Sequence, residues 1–598
     1  MVEWWSYGAK NRRRTYIQLV LSTFVLTFIS FFLLACVVTT NWQAAMAISA
    51  CLFPILLNTA TIFSQHLLRR SADSEVCIPR SNPAGAPRPK CTLAVPCIIY
   101  GHDDINDAVN TIRQNVIRNH GTANFFCIAF DFFDHQNGPN NGLDNELILY
   151  AKKELSRLER EVPAARGKLV AFFRHRSWSS SENSWIGWER KRGKIIELCR
   201  LIARGELGSL FVIYGKSAYI RNSTYLMILD SDSWLEHGGL DQLIDAMSHQ
   251  AATPHIKGKT LEAGYVIGCP RGLCRPGENN TTFSKILFYN RLEPQVRSIE
   301  PSFFQNSLGH HIFVGKGLYN VSAFLELVDG RLPSERVLSH DHLEGMLAIP
   351  AYISDVYFYQ SYPQQYSSWR ARQHRWIRGD VQTIPWIIFP NVRGESQLRI
   401  SLSVLDRLKL ATNIANHFTP VGQFLIFVII ALGGVRFPFP VTLAALALGA
   451  PALWINIGFR VFENFLPHHP LKQPELYKKR KIQSIFSGTL GDYRILLINL
   501  ATLADAFVIT VDATAKALWR MSFSKTKLLE WRPSSVLENS SNEISSNRYW
   551  VSQLISISVL FMITLVSSPS SLVVSPLFLT WATLPSLKWI RNRDKGFL

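Results

Sequence analysis

The sequence predicts an α/β domain, in which helices cover a β-sheet, inserted between α-helical transmembrane segments. Two observations lead to this class. Long apolar runs cluster towards the two ends of the 598-residue chain, whereas the middle alternates short apolar runs with helical segments. The chain also exceeds the usual length of a single domain, so it has room for a large core as well as membrane segments.

The first unit, residues 1–70, is predicted to be a transmembrane hairpin. Residues 16–38 and 43–67 are nearly uncharged and long enough to cross about 30 Å of hydrocarbon. A cleavable signal peptide has a shorter apolar core and is not followed at once by a second span. Basic residues such as Arg13 and Arg69 flank the hairpin, so the positive-inside rule predicts a cytoplasmic N-terminus and central domain.

The second unit, residues 71–90, contains four prolines and is predicted to be a linker. The soluble domain is expected over residues 91–400. Its continuous apolar runs suit strands of a sheet that is covered on both faces. Five such strands are predicted, at residues 93–96, 125–130, 169–173, 225–229 and 264–268.

Membrane segments are predicted again after the soluble domain. A transmembrane pair is expected in residues 410–465, with spans at 414–434 and 438–459, and a closing pair in residues 549–598, with spans at 550–567 and 571–590. Cytoplasmic or interfacial helices are expected between the pairs, in residues 466–548.

One apolar stretch in that intervening region, residues 495–510, has two interpretations. It contains Asp505 and is followed by Asp512 and Lys516. Charges are costly in a bilayer, so an interfacial or re-entrant helix is favoured. A membrane crossing is the alternative.

The formal net charge of +19 suits nucleic acid, an anionic substrate or anionic lipid. The position of the cations decides between these partners. Much of the excess borders apolar segments, as at residues 12–14 and 478–481, and this is the pattern of membrane proteins. A lipid bilayer is therefore the expected partner, and nucleic acid is not.

The nine cysteines include no C-x-x-C pair and no histidine partner at zinc spacing. Neither a disulfide framework nor a structural zinc site is predicted. Reduced thiols are the simplest interpretation.

Asp230-Ser231-Asp232 is the first candidate site. It follows a predicted apolar strand, so both carboxylates are expected at the strand's carboxyl end, where open α/β sheets bind ligands. Two hard oxygen ligands there suit Mg²⁺ or Mn²⁺ carrying a diphosphate. A capping motif on a turn is the alternative.

The segment SHDHLEG, residues 339–345, is the second candidate. Its Asp341 and Glu344 offer a carboxylate able to accept a proton from an attacking hydroxyl. The alternative is that Ser339 or Asp341 caps a helix.

The segment RARQHRWIRGD, residues 370–380, is the third candidate. Guanidinium groups bind diphosphate through fixed donor forks, and an indole stacks on the apolar face of a sugar ring. A solvated basic helix before a membrane span would also show cations, but it would not require the embedded tryptophan.

Three weaker candidates accompany these segments. The cationic cluster at residues 188–194 contains Gly193, which permits close approach of the backbone to phosphate, although a surface helix start is the simpler interpretation. Asp131 ends the second predicted strand at the same sheet edge as Asp230, and suits a ribose or base. The glycines of residues 313–317 suit a tight turn near a substrate, or simply a turn.

Together and in this order, these segments resemble the inverting, family 2-like glycosyltransferases of the GT-A (Rossmann-like) fold, which include cellulose and hyaluronan synthases. A closer resemblance is to the transferase region of bacterial cyclic β-1,2-glucan synthases, the family 84 membrane glycosyltransferases. That resemblance covers roughly residues 90 to 535, and residues 185–194, 313–317, 338–345, 372–380 and 528–531 carry it.

The resemblance implies roles for individual residues. Asp230 and Asp232 would hold the metal and the donor diphosphate, and Asp341 would be the general base. The remaining donor contacts would come from Asp131 to uridine, Lys191 to the diphosphate or uracil region, and Arg375 to the diphosphate. Trp376, Gly315 and Lys316 are assigned to the acceptor side.

The implied activity is transfer of glucose from UDP-glucose to a growing β-glucan acceptor, with β-1,2 linkage and inversion at the anomeric carbon. The implied location is the bacterial inner membrane, with several spans, a cytoplasmic catalytic domain and possible coupling to export. A single addition to a lipid or protein acceptor is the alternative activity. A transporter or receptor is disfavoured, because polar residues are few within the predicted spans.

Three departures from the family pattern matter. Arg372 stands where the wider superfamily has Gln in Gln-x-x-Arg-Trp, although the glucan synthases share this form. Cys199 stands where the pattern commonly has Asn. The large phosphorylase-like C-terminal region of the full synthases is not found, so chain-length control or cyclisation is expected either from a separate enzyme or not at all.

Overall fold

The computed structural model describes most of the chain. The described residues are 2–39, 42–71, 78–80, 87–121, 123–138, 141–275, 281–287, 303–309, 311–389, 391–394, 399–431, 454–455, 457–459, 489–490, 493–531, 546–566 and 569–583.

Fifteen strands occur in this part of the chain. They are β1 (Cys91–Ile99), β2 (Asn124–Phe132), β3 (Leu169–Arg174), β4 (Ser177–Ser179), β5 (Ser184–Ile186), β6 (Leu210–Tyr214), β7 (Tyr225–Ile228), β8 (Ser233–Leu235), β9 (His255–Lys257), β10 (Thr260–Ala263), β11 (Ile267–Cys274), β12 (Gly317–Asn320), β13 (Pro350–Gln360), β14 (Asn391–Arg393) and β15 (Arg399–Ser401).

The α-helices of the same residues begin and end as follows. They are α1 (Val2–Thr39), α2 (Trp42–Ser71), α3 (His102–Arg118), α4 (Asn141–Glu161), α5 (Arg190–Arg204), α6 (Gly239–Met247), α7 (Thr282–Leu287), α8 (Phe303–Leu308), α9 (Val321–Val328), α10 (His340–Ala348), α11 (Tyr366–Val381), α12 (Ile384–Ile388), α13 (Val404–Ala431), α14 (Tyr493–Ala501), α15 (Leu503–Trp519), α16 (Ser546–Val566) and α17 (Pro569–Thr583).

Nine strands form one mixed sheet in the order β6-β3-β2-β1-β7-β12-β11-β13-β8. The central strands β3, β2, β1 and β7 are parallel to one another. The strand β6 pairs antiparallel with β3, and β12 runs antiparallel between β7 and β11. Because carboxyl ends of parallel strands meet at one edge, the residues at and after the ends of β2 and β7 lie at the same edge of the sheet.

Helices cover both faces of this sheet, as the alternation of β2 illustrates. Phe126, Ile128 and Phe130 pack into a core that also contains residues of α3, α4 and α6. Cys127 and Ala129 point to the opposite face, where residues of α5, α9 and α10 complete a second core. A strand buried on both faces has a continuous apolar sequence, as β2 does. The helices on both faces of the sheet confirm the predicted α/β class.

Four of the five predicted strands coincide with β1, β2, β3 and β7, and the fifth is displaced. Residues 264–268 overlap only the first two residues of β11, which continues to Cys274. The longest strand, β13, was missed because its apolar and aromatic residues are interrupted by Ser354 and Asp355. Its place in the sheet is secured by pairing with β11 and β8.

The predicted N-terminal hairpin is confirmed in its helices. Two segments, Asn11–Leu33 and Ala45–Leu68, are long and apolar enough to cross a membrane. Part of the predicted 414–434 span lies in α13, and the predicted closing pair overlaps α16 and α17. In the described part of this pair, Val551–Ile563 is an apolar helix shorter than a membrane span, so these later spans stay predictions. Most of the predicted 438–459 span falls outside the described residues.

The stretch at residues 495–510 is bent rather than straight. Helices α14 and α15 meet at 67°, as in a broken span or a re-entrant loop. Asp505 and Asp512 of α15 are paired with side chains of α11. The two carboxylates therefore have polar partners within the protein, whichever of the two arrangements holds.

Candidate active site

Asp230 lies at the carboxyl edge of the sheet, two residues after β7. The Leu229 amide, next to it, donates to the Ala94 carbonyl of β1 and extends the ladder to this point. The Asp230 carboxylate contacts two ammonium groups, with Oδ1 2.6 Å from Lys191 Nζ and Oδ2 2.8 Å from Lys316 Nζ. Partial burial opposes its ionisation, but the two lysines hold the pKa of Asp230 well below its ordinary value.

Lys191 reaches Asp230 from the first turn of α5. The preceding residues Glu189 and Arg190 have positive φ, and a Cβ on Gly193 would lie 2.1 Å from the Trp188 carbonyl oxygen. Gly193 thus allows tight packing of the helix start, and approach of its backbone to a phosphate stays a prediction. The other cations of the cluster are buried in ion pairs: Arg190 with Asp134, Arg192 with Glu189, and Lys194 with Asp131.

Lys316 belongs to a turn that joins the donor-side carboxylate to the candidate base. The Gly315 carbonyl accepts a hydrogen bond of 2.9 Å from Lys191 Nζ. Gly315 has φ +80°, and a Cβ there would lie 2.6 Å from Asp341 Oδ2. Lys316 also donates to Gln360 at the end of β13. The turn of residues 313–317, predicted for the acceptor side, therefore contacts Asp230 as well.

Asp232 lies at the same edge of the sheet, near the carboxylates at the start of α3. Its Oδ1 accepts from Ser233 Oγ at 2.9 Å, and its backbone carbonyl accepts from Arg275. The pKa of Asp107 on α3 is raised by partial burial and by the nearby Asp104, Asp103 and Asp232 carboxylates, against the effect of Arg275. A divalent cation held by Asp230 and Asp232 would relieve this repulsion, and carboxylate oxygens are ligands that Mg²⁺ and Mn²⁺ prefer. In this structure both Asp230 oxygens contact lysines, so a metal ion held by Asp230 and Asp232 stays a prediction.

Asp341 lies in the first turn of α10 and its side chain is one-third exposed. Ser339 precedes the helix but makes no side-chain capping hydrogen bond. The nearest ionisable groups on α10 are His340 and Glu344. The ligand atoms of these three residues lie within 4.8 Å of one another, close enough to hold a cation as a group.

Arg375 and Trp376 lie on α11. Burial lowers the pKa of Arg375 to about 10, with a further lowering by Arg372, while the Asp230 and Asp341 carboxylates favour its charged form. The Arg375 guanidinium lies 5.6 Å from the centre of the Trp531 ring. Trp376 is 39% exposed, and its ring meets that of Trp369 edge-on at 5.7 Å.

The opposite face of α11 is engaged in structural ion pairs. Every fourth residue from Arg370 pairs with an acidic residue: Arg370 with Asp505, His374 with Asp512, and Arg378 with Glu530. Since residues four apart lie on one helix face, this stripe attaches α11 to α15 and to the segment LLEW, residues 528–531. These three side chains of the cationic segment are thereby engaged within the protein. Arg375 and Trp376 do not belong to this row of ion pairs.

Asp131 is placed in a buried ion-pair network. Its oxygens contact Arg174 at 2.6 and 2.8 Å and Lys194 at 3.0 Å. Burial would raise the pKa of Asp131, but the two cations hold it below its ordinary value. The network fixes the start of α5, because Arg174 also donates to the Trp188 and Arg190 carbonyls. A contact between Asp131 and uridine stays a prediction.

The structure thus brings most of the sequence-predicted residues to one region. Contacts and electrostatic interactions connect Asp230, Lys191, Gly315, Lys316, Asp341 and Arg375. Sequence reasoning missed Gln360, Arg275 and Asp107. Each lies in or beside an element that carries no local motif. The sheet order brings Gln360 and Arg275 to this edge, and the packing of α3 on the sheet brings Asp107.

Comparison with known proteins relates the chain to proteins of glucan synthesis. No family model matches the chain. Over 522 residues it is 27% identical to the cyclic beta-(1,2)-glucan synthase NdvB of Rhizobium meliloti, a match that covers 85% of this chain and 18% of that protein. Over 196 residues it is 24% identical to the glucans biosynthesis glucosyltransferase H of Caulobacter vibrioides, covering 30% of this chain and 27% of that protein. The chain is therefore homologous to these two glucan-synthesising proteins and spans less than a third of the length of each.

Proposed function

We propose that this protein is an inverting membrane glucosyltransferase that transfers glucose from UDP-glucose to a growing β-glucan, with β-1,2 linkage. The observation that carries the proposal is the group of cations around Asp230 beside the partly exposed Asp341. Lys191 and Lys316 contact Asp230. The Asp230 and Asp341 carboxylates favour the charged form of the nearby Arg375. A donor diphosphate needs cations, and an attacking sugar hydroxyl needs a base.

The reaction requires one bond to form as another breaks. Asp341 accepts the proton of the acceptor hydroxyl, whose oxygen attacks the anomeric carbon of glucose from the side opposite the diphosphate. The bond between that carbon and the diphosphate oxygen breaks, and UDP leaves with the electron pair. Because attack and departure occur on opposite faces, an α-linked donor gives a β-linked product without a covalent enzyme intermediate.

Lys191, Lys316 and Arg375 are assigned to the diphosphate. Negative charge grows on the leaving oxygen in the transition state, and fixed cations in a partly buried site stabilise it without reorganisation. Lys191 and Lys316 are already oriented by Asp230, so the donor meets preplaced ammonium groups. Asp230 and Asp232 would hold Mg²⁺ or Mn²⁺, which would supply further neutralisation of the diphosphate.

The acceptor is assigned to the side of α11 that carries Trp376. Its exposed indole offers an apolar surface for a sugar ring. The GT-A fold and the cytoplasmic placement of the domain at the inner membrane belong to this proposal. They are supported by the mixed sheet, the two apolar N-terminal helices and the homology to NdvB.

Sugar transfer by membranes containing the protein tests the donor. We expect incorporation of label from radiolabelled UDP-glucose, little from UDP-galactose or UDP-N-acetylglucosamine, and loss of transfer with EDTA that Mg²⁺ or Mn²⁺ restores. Membranes containing Asp232→Asn should require more metal. Preferential use of another nucleotide sugar, or transfer that EDTA leaves unchanged, would contradict the assignment.

A further inference from the structure

The side chain of Glu344 is fully buried one helical turn after Asp341, and the proposed reaction gives it no role. Within the described part of the chain, neither of its oxygens accepts a hydrogen bond of good geometry. His340 Nδ1 is in ionic contact with it, 3.0 Å from Glu344 Oε1. The same nitrogen lies 3.2 Å from Asp341 Oδ1. One imidazole therefore lies between two carboxylates.

A buried carboxylate without a counter-charge is costly, so the charge of His340 decides whether Glu344 is compensated. Burial alone would lower the pKa of His340, but Glu344 and Asp341 raise it above its ordinary value. An imidazolium carries hydrogen on both ring nitrogens and has no lone pair for a metal. The cluster is thus better explained as an ion-pair group than as a second metal site.

Other elements also present charged or titratable groups to this cluster. From α5, Lys191 interacts with Asp341 and Glu344, Arg192 opposes protonation of His340, and Cys199 lies near Glu344. Tyr319 of β12 and Arg375 of α11 complete the surroundings. His342, on α10 itself, pairs with Asp380. Asp341 therefore has the cations Lys191, His340 and Arg375 nearby. The buried Glu344 adds a negative charge to this group.

We propose that His340 and Glu344 form a positioning pair for Asp341, in which the imidazolium of His340 orients the Asp341 carboxylate while Glu344 balances its charge. The inference rests on the proposed function, since Asp341 is the base of that reaction. During transfer the acceptor proton stays on Asp341, and His340 neither gains nor loses a proton. As Asp341 becomes neutral, the His340 N–H turns fully to Glu344, so no buried charge loses its partner.

Removing the two members of the pair should have opposite electrostatic consequences. In His340→Gln a buried Glu344 charge remains beside Asp341 and disfavours the ionised form of the base. The acidic limb of kcat/KM for glucose transfer should then move upward by about one pH unit, a roughly tenfold loss on that limb. Glu344→Gln should give no upward shift. The double variant should return towards the wild-type limb, because both charges are gone.

The decisive comparison is the double variant against His340→Gln, with His255→Gln on the exposed strand β9 as the control. The proposed pair would be contradicted if the acidic limb of the double variant moved upward as far as that of His340→Gln. It would also be contradicted if the rate of His340→Gln fell equally at every pH. Histidine NMR supplies a test that needs no turnover, with the His340 resonance assigned by its absence in His340→Gln. The pKa of His340 measured in this way should be above about 6.5, and it should be lower in Glu344→Gln. Titration of His340 at or below that value in the wild type would also overturn it. Absence of wild-type glucose transfer would refute the proposed function. The NMR titration would still test whether His340 and Glu344 form an ion pair.

Discussion

The backbone of Gly315 lies against the carboxylate of Asp341. A Cβ on residue 315 would come within 2.6 Å of Asp341 Oδ2 and 3.0 Å of its carboxyl carbon, and the residue has φ +80°. Real Cβ atoms do not approach other atoms so closely, so any side chain at this position must displace the carboxylate or the turn. The turn that carries Lys316 and the proposed base are therefore built around a glycine.

Gly315→Ala should lower turnover by about 100-fold, because a displacement of about 1 Å in a reacting group has an effect of that size. It should also cost about 1–3 kcal/mol of stability from the left-handed backbone. Transfer kinetics and thermal unfolding measure the two effects. Gly258→Ala is the matched control: its φ is +55°, and a Cβ there would meet no atom within 4 Å. Equal losses of turnover in the two variants would contradict the contact with Asp341.

Asp341→Asn should lower glucose transfer by about 10²- to 10⁴-fold, the usual contribution of a general base. UDP should still bind, since the cations that contact the diphosphate are unchanged. Calorimetric titration with UDP and transfer from radiolabelled UDP-glucose separate the two properties. Retained turnover would remove Asp341 as the base, whereas joint loss of UDP binding and turnover would assign it to the donor.

Asp131→Asn should destabilise the fold by about 3–5 kcal/mol, because it leaves Arg174 and Lys194 buried without a full counter-charge. The pKa of Asp131 is held below its ordinary value, so its ionised form stabilises the fold above about pH 4. This contribution is lost as the pH falls through the lowered pKa. Denaturant unfolding at pH 7, and at a series of pH values below 4, measures the effect. A variant that keeps its stability but has a raised KM for UDP-glucose would instead support contact with uridine.

Arg370 and Asp505 should show a coupling energy of about 0.5–3 kcal/mol in a double-mutant cycle, since the pair is buried and separated by 2.8 Å. The cycle uses Arg370→Met and Asp505→Asn, with unfolding followed in detergent. Arg204→Met, on the exposed end of α5, is the control partner and should be additive with Asp505→Asn. Additivity of the Arg370 cycle would contradict attachment of α11 to α15 through this stripe.

The sequence predicts the parts of the site that depend on local order. An apolar run of five residues before Asp230 is enough to predict a buried strand, and the parallel arrangement of β2 and β7 then follows from the α/β pattern. Asp341 was predicted because its segment resembles a family motif. These predictions need only the short-range pattern of the chain and the order of its motifs.

The partners of charged residues depend on tertiary packing, and the sequence pattern does not contain them. Arg174 is 43 residues from Asp131, and Asp505 is 135 residues from Arg370. In sequence, Arg370 and Arg375 have the same character, yet the first is bound to α15 and the second interacts with Asp230. The helix face presented to each neighbour makes this difference, and it is known only once the neighbour is placed.

Linkage and anomeric analysis of the product that purified protein makes from radiolabelled UDP-glucose and Mg²⁺ tests the central claim most directly. The proposal predicts chains of several glucose residues joined by β linkages, of the 1,2 type, with Asp341→Asn as the inactive control. A product that carries a single glucose on a lipid or protein would contradict polymerisation. An α-linked product would contradict direct displacement with Asp341 as the base.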